Sequence, residues 1–420
     1  MNAFRPHGSL EVFLDTAGGR LPVGRLAQKA GSIYFAFTPS FPERLNPSPF
    51  MLRPEPGSSL IPGSRLFEGL HGVFADSLPD GWGRLLMDRK LRGQGIDPAA
   101  VTPLDRLAWI GRGGMGALTY APDASSPIGT GAIDLDALRC ASEEVLDDVP
   151  EKVLDALLAA GGSPGGARPK ALVGWGGPGN DILVHGRDEL PPGFGAWIVK
   201  FGSRDDPQDF GAIEYAYSRM AGQAGVDMPE ARLFPSKKGP GHFALRRFDR
   251  PDNGGRVHTH TLAGLLHADF RLPSLDYDAF LKATLLLTNS ALDAERAFVR
   301  MVFNVLGHNR DDHPKNHSFL MDGEGRWSLS PAYDVVFSSG PGGEHSMAVD
   351  GAGNNPTLQN ILNVAARFDI SRARAKALVE RVADAVSQWE ALARESGVSR
   401  KSAGMVQKRL DAVLTRVKTV

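Results

Sequence analysis

Residues 308–319, HNRDDHPKNHSF, concentrate side chains that can do chemistry: three histidines, four acidic or amide-bearing residues and two cations. Imidazole, carboxylate and amide groups can bind metal ions, accept protons and orient substrates. The composition of this stretch fits a solvated loop, a metal site or the active loop of a phosphotransferase. The spacing of these residues, and their neighbours along the chain, must decide among the three.

The spacing from Asp311 to Asn316, and on to Asp334, follows the order found in protein kinases. Those enzymes place a catalytic aspartate shortly before a magnesium-binding asparagine, and a second metal-binding aspartate follows. Here SFLM and WSLSP, separated by the turn DGEG, predict a hairpin between Asn316 and Asp334. The chemistry needs one carboxylate to orient the attacking hydroxyl and accept its proton. It also needs oxygen ligands that hold Mg²⁺ against the nucleotide phosphates.

Three upstream features supply the other parts of a nucleotide site. The glycine-rich segment SPGGARPK, residues 163–170, can present backbone N–H groups to phosphate because glycine permits close approach. Lys200 lies on a predicted apolar strand, where kinases place the lysine that contacts the α- and β-phosphates. Glu214, on the helix predicted next, stands where those enzymes place the carboxylate partner of that lysine.

Each feature has an ordinary explanation when it is taken alone. Glycine-rich segments are commonly turns, and single charges on strands or helices are commonly solvated. The order of all five parts carries the inference of phosphotransfer. Two alternatives stay open. One is a catalytically weak kinase fold that acts as a co-repressor on DNA, and the other is a metal-dependent phosphoesterase using His308, Asp311, Asp312 and His313.

The elements that position these residues can be inferred from hydrophobic periodicity. Short strands are predicted within residues 9–38, and a helix is predicted after Asp80. A helix with Ser142 as its N-cap follows. Residues 163–250 indicate a strand-rich lobe with one helix packed on it, and the pattern beyond about residue 255 is mainly helical.

These patterns divide the chain into three predicted parts. They are a small mixed unit at residues 1–125, a lobe with the glycine-rich segment at 126–250, and a helical lobe with the catalytic loop at 251–420. Near the end, ISRARAKALVERVADAVSQWEALARESG predicts one amphipathic helix. Its predicted buried stripe is Leu378, Val382, Val386 (or Ala385), Trp389 and Leu392.

Composition limits the classes of function. With 420 residues the chain can bury a substantial core, and 42% hydrophobic with 23% charged residues is ordinary for a globular protein. A net charge of −1 argues against nucleic-acid binding through bulk charge. Cys140 is the only cysteine, so neither an intramolecular disulfide nor a thiolate zinc cluster can form. No membrane-length apolar run or secretory leader stands out, so we expect a soluble cytoplasmic protein.

Taken together, the motifs resemble those of one known family. NRDDHPKNHSF followed by LSPAYDVV, with SPGGARPKAL upstream and RRFDR between them, is similar to the HipA family of bacterial serine/threonine kinases. LFEGLHGVFADSLPDGWGR and GRGGMGAL resemble the N-terminal subdomain of that family. The resemblance covers essentially the whole chain. It implies an α+β, two-lobed, protein-kinase-like fold with a small mixed α/β N-terminal subdomain and a largely helical C-terminal lobe.

The resemblance also implies roles for individual residues. Asp311 would be the catalytic base, His313 and Lys315 would shape the catalytic loop, and Asn316 and Asp334 would bind Mg²⁺. Residues 246–249 would lie at the hinge that holds the adenine, and Lys200 would contact the nucleotide phosphates. The residues implied to bind ATP are Ser163, Gly165, Gly166, Ala167, Lys170, Lys200, Glu214, Arg246, Phe248 and Asp249.

By the same resemblance, the protein would use ATP and Mg²⁺ to phosphorylate a serine or threonine of a cytoplasmic protein and so arrest growth. In the best-known case that substrate is an aminoacyl-tRNA synthetase. Autophosphorylation of Ser163 would eject the glycine-rich loop and inactivate the enzyme. Members of the family act with a small helix-turn-helix antitoxin of the HipB type, so contact with DNA would be indirect, and no membrane partner is implied.

Overall fold

The N-terminal part of the chain is built on a five-stranded antiparallel sheet. The structure, a computed structural model, describes residues 4–54, 58–125, 131–144, 151–160, 165–186, 189–252 and 254–418. The order of the first sheet is β4-β3-β2-β1-β5. Its strands are β1 (Ser9–Thr16), β2 (Gly19–Lys29), β3 (Ser32–Phe37), β4 (Ile61–Pro62) and β5 (Leu118–Ala121).

Alternating burial explains why this sheet forms. Leu10, Val12 and Leu14 of β1 are fully buried, and Glu11 between them is exposed. The turn from β1 to β2 passes through Gly19, whose φ of 113° favours glycine. Strands β1 to β3 confirm the short strands predicted for this region.

Three helices accompany the first sheet: α1 (Gly72–Ala75), α2 (Gly81–Gly93) and α3 (Pro103–Ile110). Helix α2 begins directly after Asp80, as predicted. Helix α3 begins at a capping box in which the Asp105 N–H donates to the Thr102 hydroxyl and the Thr102 N–H donates to the Asp105 carboxylate.

A second antiparallel sheet, in the order β7-β6-β8-β10-β9, forms the middle of the chain. Lys170 at the start of β6 is paired with Lys200 at the end of β8. Both lysines therefore lie at the same end of these two neighbouring strands. Helices α4 (Leu135–Glu144), α5 (Glu151–Ala160) and α6 (Phe210–Gln223) belong to this region. Its strands are β6 (Lys170–Trp175), β7 (Leu183–His185), β8 (Gly195–Lys200), β9 (Ala231–Phe234) and β10 (His242–Arg246).

The predicted N-cap role of Ser142 is wrong. Ser142 lies inside α4, and its hydroxyl donates to the Arg139 carbonyl at 2.7 Å. The helix starts earlier because the Asp134 carboxylate accepts the backbone N–H groups of Asp136 and Ala137, at 2.9 and 3.1 Å. An aspartate that follows a glycine- and proline-rich stretch was the signal that could have revealed this start.

The C-terminal part is mainly helical, with a small sheet in the order β11-β12-β13. The hairpin of β12 and β13 confirms the one predicted between Asn316 and Asp334. The strands of this part are β11 (His258–Thr261), β12 (Ser318–Met321) and β13 (Trp327–Leu329). Its helices are α7 (Leu262–Leu266), α8 (Tyr277–Thr288), α9 (Ala291–Leu306), α10 (Leu358–Arg367), α11 (Arg372–Ser387), α12 (Trp389–Glu395) and α13 (Arg400–Lys418).

The single helix predicted near the C-terminus is two helices. Helices α11 and α12 meet at Gln388, whose N–H donates to the carbonyl of Ala385. The apolar stripe nevertheless continues across the break, because Trp389 is fully buried and its indole N–H donates to the Ala403 carbonyl of α13. All the residues predicted for this stripe are buried, namely Leu378, Val382, Ala385, Val386, Trp389 and Leu392.

The hydrophobic cores of the N-terminal and C-terminal parts touch. Met321 of β12 belongs to the N-terminal core, and Trp327 of β13 packs against both cores. The hairpin that precedes Asp334 is therefore anchored from both sides.

None of the helices formed by the described residues combines the length and the apolar character needed to cross a bilayer.

Candidate active site

Asp311 and Asn316 lie in the loop between α9 and β12. The Asp311 side chain is 51% exposed, so its carboxylate is open to a substrate hydroxyl. The Asn316 side-chain N–H donates to the Asp311 backbone carbonyl at 2.7 Å. This bond orients the Asn316 amide and leaves its oxygen available as a ligand. The loop thus presents one exposed carboxylate, 4.0 Å from a His313 ring nitrogen, and one oriented amide oxygen.

Asp312, the neighbouring aspartate, has a different role. Its side chain is completely buried and accepts hydrogen bonds from the Tyr277 hydroxyl at 2.6 Å and the Ser346 N–H at 2.8 Å. The His345 ring nitrogen lies 2.9 Å from the same carboxylate. These contacts anchor the catalytic loop to α8 and to the segment after Asp334. They leave Asp312 unable to serve as an accessible metal ligand.

Lys200 joins the two lobes. Its ammonium contacts Glu214 of α6 at 2.8 Å and also the carboxylate of Asp334. Burial alone would lower the pKa of Lys200, but the charges of Asp334 and Glu214 raise it above its ordinary value. Burial alone would raise the pKa of Asp334, but Lys200 and Lys170 hold it well below its ordinary value. The lysine is therefore cationic and Asp334 anionic at neutral pH.

Asp334 has an unusual backbone. Its φ is 52°, in the left-handed region that a non-glycine residue rarely adopts. Residues held in such conformations concentrate at functional sites, where the surrounding structure enforces them. Tyr333 directly precedes Asp334, and its hydroxyl donates to the Lys315 carbonyl at 2.7 Å. Asp334 is thus fixed relative to the catalytic loop.

The glycine-rich segment enters β6 beside Lys200. Gly165 and Ala167 are exposed, and Gly166 has a φ of 104° that favours glycine. Lys170 is buried, its ammonium donates to the Gly165 carbonyl, and burial lowers its pKa. Asp334, Lys200 and Asp80 are the further charges that influence Lys170. Ser163, the predicted autophosphorylation site, lies outside the described residues.

The predicted hinge residues have separate environments. Phe248 is half-buried, and its ring lies 6.0 Å from that of Tyr333, beside Asp334. Arg246 pairs with Asp252 and with Glu230 on the surface. Of the residues predicted at the hinge, Phe248 is the one whose side chain lies beside Tyr333, the neighbour of Asp334.

Asp249, which is predicted to bind the cofactor, contacts two arginines and the N-terminal part of the chain. Its side chain is fully buried, pairs with Arg247 and Arg250 at 2.8 Å, and accepts the Gly116 N–H at 2.7 Å. Arg250 also donates to the Gly114 carbonyl at 2.9 Å. The segment after β10 is therefore tied to the loop before β5 in the N-terminal part.

We expect replacement of Asp249 by asparagine to destabilise the fold. It would leave Arg247 and Arg250 poorly paired in a buried place, at a cost of about 3–5 kcal/mol. Burial would raise the pKa of Asp249, but the two arginines hold it far below its ordinary value. The stabilisation is therefore complete above the unfolded pKa of about 3.9 and is lost as the pH falls towards the folded value.

Urea unfolding at pH 7, 4 and 3 measures this effect. The difference between the wild type and Asp249→Asn should be largest at pH 7 and should shrink below about pH 4. Asp252→Asn, which removes the exposed partner of Arg246, should change the free energy of unfolding by less than about 1 kcal/mol at every pH. Equal effects of the two substitutions at pH 7 would contradict the assignment.

His313 and Lys315, predicted to shape the catalytic loop, both pack on Phe270. The His313 ring lies 5.6 Å from the Phe270 ring, and the Lys315 ammonium lies 4.6 Å from the centre of that ring. Lys315 also pairs with Asp80 at 2.7 Å. Neither Phe270 nor Asp80 was predicted as a site residue, because both come from distant parts of the chain.

The residues present fit a Mg²⁺–nucleotide complex. The amide oxygen of Asn316 and the carboxylate of Asp334 are the oxygen ligands that Mg²⁺ prefers. The ammonium groups of Lys200 and Lys170 offer the cations that phosphates require. Among the residues that the structure describes, no group of three or more His, Cys, Asp and Glu side chains is arranged to hold a metal ion.

The fold and the placement of these residues define a two-lobed protein of the protein-kinase-like class. Its N-terminal part carries an additional sheet, and two residues outside that sheet, Asp80 and Gly116, contact the glycine-rich loop and the segment after β10. Residues 10–121 match the HipA N-terminal domain, and residues 162–389 match the HipA-like C-terminal domain. The chain therefore belongs to the HipA family.

Two individual proteins illustrate the similarity. The putative kinase Y4dM of Sinorhizobium fredii (strain NBRC 101917 / NGR234) is 31% identical over 160 residues, which are 34% of this chain and 37% of that protein. The match thus spans little more than a third of that relative. A chain in the Shewanella oneidensis MR-1 complex of HipA, HipB and operator DNA has a TM-score of 0.68 and 16% identity, with 96% of each chain covered. At that identity the similarity concerns the fold.

Proposed function

We propose that this protein is a HipA-type kinase that transfers the terminal phosphoryl group of ATP, with Mg²⁺, to a serine or threonine of a protein substrate. The observation that carries the proposal is the bridge from Lys200 to Glu214 and Asp334. It joins the nucleotide-binding lobe to the end of the catalytic segment, which is the arrangement that phosphotransfer in kinases requires. The membership in the HipA family and the name of the relative Y4dM support it.

Each residue has a defined task in this proposal. Asp311 orients the attacking hydroxyl and accepts its proton as the new bond forms. Asn316 and Asp334 hold Mg²⁺, which neutralises the phosphate charges when it is bound. Lys200 contacts the α- and β-phosphates, and Glu214 keeps its ammonium in place. The exposed backbone of the glycine-rich loop covers the phosphates.

The partner and the regulation follow from the family. The similar structure from Shewanella contains HipB and operator DNA. We propose a HipB-like helix-turn-helix antitoxin as a partner here, with DNA contacted only through it. A net charge of −1 fits this indirect contact. A cytoplasmic protein substrate, such as an aminoacyl-tRNA synthetase, and self-inactivation through Ser163 are further parts of the proposal.

The phosphoesterase alternative is less well supported. It needs Asp312 as a ligand, and that carboxylate is bonded to Tyr277, His345 and Ser346. His308, a second required ligand, stacks on Phe337 with the ring centres 5.3 Å apart. Burial and the nearby arginines lower the pKa of His308 to about 4, so this ring is neutral but lies against an aromatic neighbour.

Calorimetric titration with ATP tests the proposal directly. We expect binding that strengthens when Mg²⁺ is present, and we expect Asp334→Asn to remove most of that dependence on Mg²⁺. Glu324→Gln is the control, because Glu324 lies on the exposed turn of the same hairpin and pairs with the exposed Arg326. A wild-type protein that binds a divalent metal tightly but binds no ATP would reject the kinase and favour the hydrolase.

A further inference from the structure

Asp80 stands at the N-cap position of α2, yet it does not cap that helix. An aspartate at this position ordinarily accepts a backbone N–H from the first turn of its own helix. No such bond is formed here. The carboxylate instead accepts the backbone N–H of Gly166 in the glycine-rich loop and pairs with the Lys315 ammonium at 2.7 Å. One side chain of the N-terminal part therefore contacts both loops of the candidate active site.

The residues that follow Asp80 reinforce this contact. The Trp82 N–H donates to the Gly166 carbonyl at 3.2 Å, so both backbone groups of Gly166 are bound by the segment 80–82. Gly81 has a φ of 41°, and a Cβ atom there would lie 2.6 Å from the Gly166 oxygen and 2.8 Å from the Ala167 Cα. The two backbones thus approach as closely as glycine allows.

The charges of Asp80 and Lys315 favour the contact between these two side chains. Burial would raise the pKa of Asp80, but Lys315 and the Gly166 N–H lower it overall, so the carboxylate is ionised at neutral pH. The Lys315 ammonium lies between this carboxylate and the face of the Phe270 ring, 4.6 Å from its centre. A long, flexible lysine side chain is thereby held in one orientation beside Asn316.

We propose that Asp80 is a positioning residue of the phosphotransfer site, which the N-terminal part completes by holding the glycine-rich loop against the catalytic loop. The proposal rests on the proposed kinase function and deepens it. Through Gly166, Asp80 sets the height of the loop over the nucleotide phosphates, and through Lys315 it sets the conformation of the loop that carries Asp311 and Asn316. Small displacements of such groups reduce rates steeply, because reacting atoms must be placed accurately.

Substitutions separate the two contacts of Asp80. Asp80→Asn keeps an oxygen for the Gly166 N–H but removes the ion pair with Lys315, whereas Asp80→Ala removes both. Asp88→Ala is the matched control. Asp88 also lies in the N-terminal part, pairs with Arg106 at 2.7 Å, and has a side chain 22% exposed, against 20% for Asp80.

Steady-state kinetics of the full-length protein with varied ATP give the first readout. We expect Asp80→Ala to lower kcat/KM for ATP by about 10- to 100-fold and Asp80→Asn to fall between it and the wild type. Asp88→Ala should leave kcat/KM within about twofold of the wild type, whatever its effect on the melting temperature. Equal kinetic losses in Asp80→Ala and Asp88→Ala would overturn the proposal, as would a gain in ATP affinity in Asp80→Ala.

A double substitution tests whether Asp80 acts through Lys315. Lys315→Met and the combination Asp80→Asn with Lys315→Met should have the same kcat/KM, because each already lacks the ion pair. Independent, multiplicative losses would show that Asp80 does not act through the lysine and would overturn that half of the proposal.

Amide hydrogen exchange gives a readout that does not depend on activity. The Gly166 N–H should exchange faster in Asp80→Ala than in the wild type and in Asp88→Ala, with or without ATP. Unchanged exchange in Asp80→Ala would overturn the positioning role even in an active kinase. If the wild type binds no ATP, and the Gly166 N–H nevertheless exchanges faster in Asp80→Ala than in the wild type, the proposed function would be rejected. The contact between Asp80 and Gly166 would still be established.

Discussion

Replacement of Asp311 by asparagine should abolish phosphoryl transfer and leave the melting temperature unchanged, whereas the same replacement at Asp312 should lower the melting temperature and reduce transfer only in part. The two residues are adjacent and chemically identical, so the contrast depends only on their surroundings. The Asp311 carboxylate is 51% exposed and free to accept a proton from a substrate. Loss of a general base costs about 10²- to 10⁴-fold in rate.

Asp312 is the structural member of the pair. Asparagine there would set an N–H₂ group against the Tyr277 hydroxyl, the His345 ring or the Ser346 N–H, all of which the carboxylate now bonds. We expect the free energy of unfolding to fall by about 2–3 kcal/mol, because hydrogen bonds to a buried charged group are lost. Phosphoryl transfer should also fall in part, because the loop that carries Asp311 loses hydrogen bonds that hold it in place.

The measurement compares phosphorylation of protein targets, by quantitative phosphoproteomics, after expression of each variant. Thermal unfolding of the purified variants is measured in parallel. Phosphosite profiles should match the background for Asp311→Asn and should be weakened but recognisable for Asp312→Asn. Identical profiles for the wild type and Asp311→Asn would reject the kinase assignment.

The second large effect is expected at Lys200. Replacement by methionine should reduce phosphoryl transfer by about 100-fold or more, because a preorganised cation at the phosphates is lost. It should also lower the free energy of unfolding by about 3–5 kcal/mol. The reason is that Glu214, only 3% exposed, would be left as a buried charge without its partner.

A second substitution separates the two effects of Lys200→Met. Adding Glu214→Gln removes the uncompensated charge, so stability should recover in part while activity stays lost. Arg374→Met is the control for stability, since it breaks an exposed pair with Glu295 at 2.7 Å and should cost less than about 1 kcal/mol. Urea unfolding measures the stability of each variant, and ATP turnover measures its activity. Recovery of turnover in the double variant would contradict a direct role for Lys200.

Local patterns predicted much of the fold and part of the site. The strands β1 to β3, the start of α2 and the hairpin of β12 and β13 depend on alternation and turns, which act over a few residues. The relation of Asp311 to Asn316 is equally local, because the two residues are five positions apart. These features were therefore accessible from the sequence.

Features that depend on distant contacts were not accessible in this way. Asp80 contacts Gly166 and Lys315, which are 86 and 235 residues away along the chain. Nothing in the local pattern around an N-cap aspartate distinguishes one that caps its own helix from one that reaches elsewhere. The bond between Asp249 and Gly116 was equally inaccessible, since Gly116 lies 133 residues upstream.

The close approach of Gly81 to Gly166 restricts how the sequences of relatives can diverge. A Cβ atom at position 81 would clash with the backbone of Gly166 and Ala167, and position 166 has a φ of 104° that residues with side chains rarely adopt. Relatives that keep an acidic residue at position 80 should therefore keep glycine at 81 and 166 and a cation at 315, and the four positions should change together.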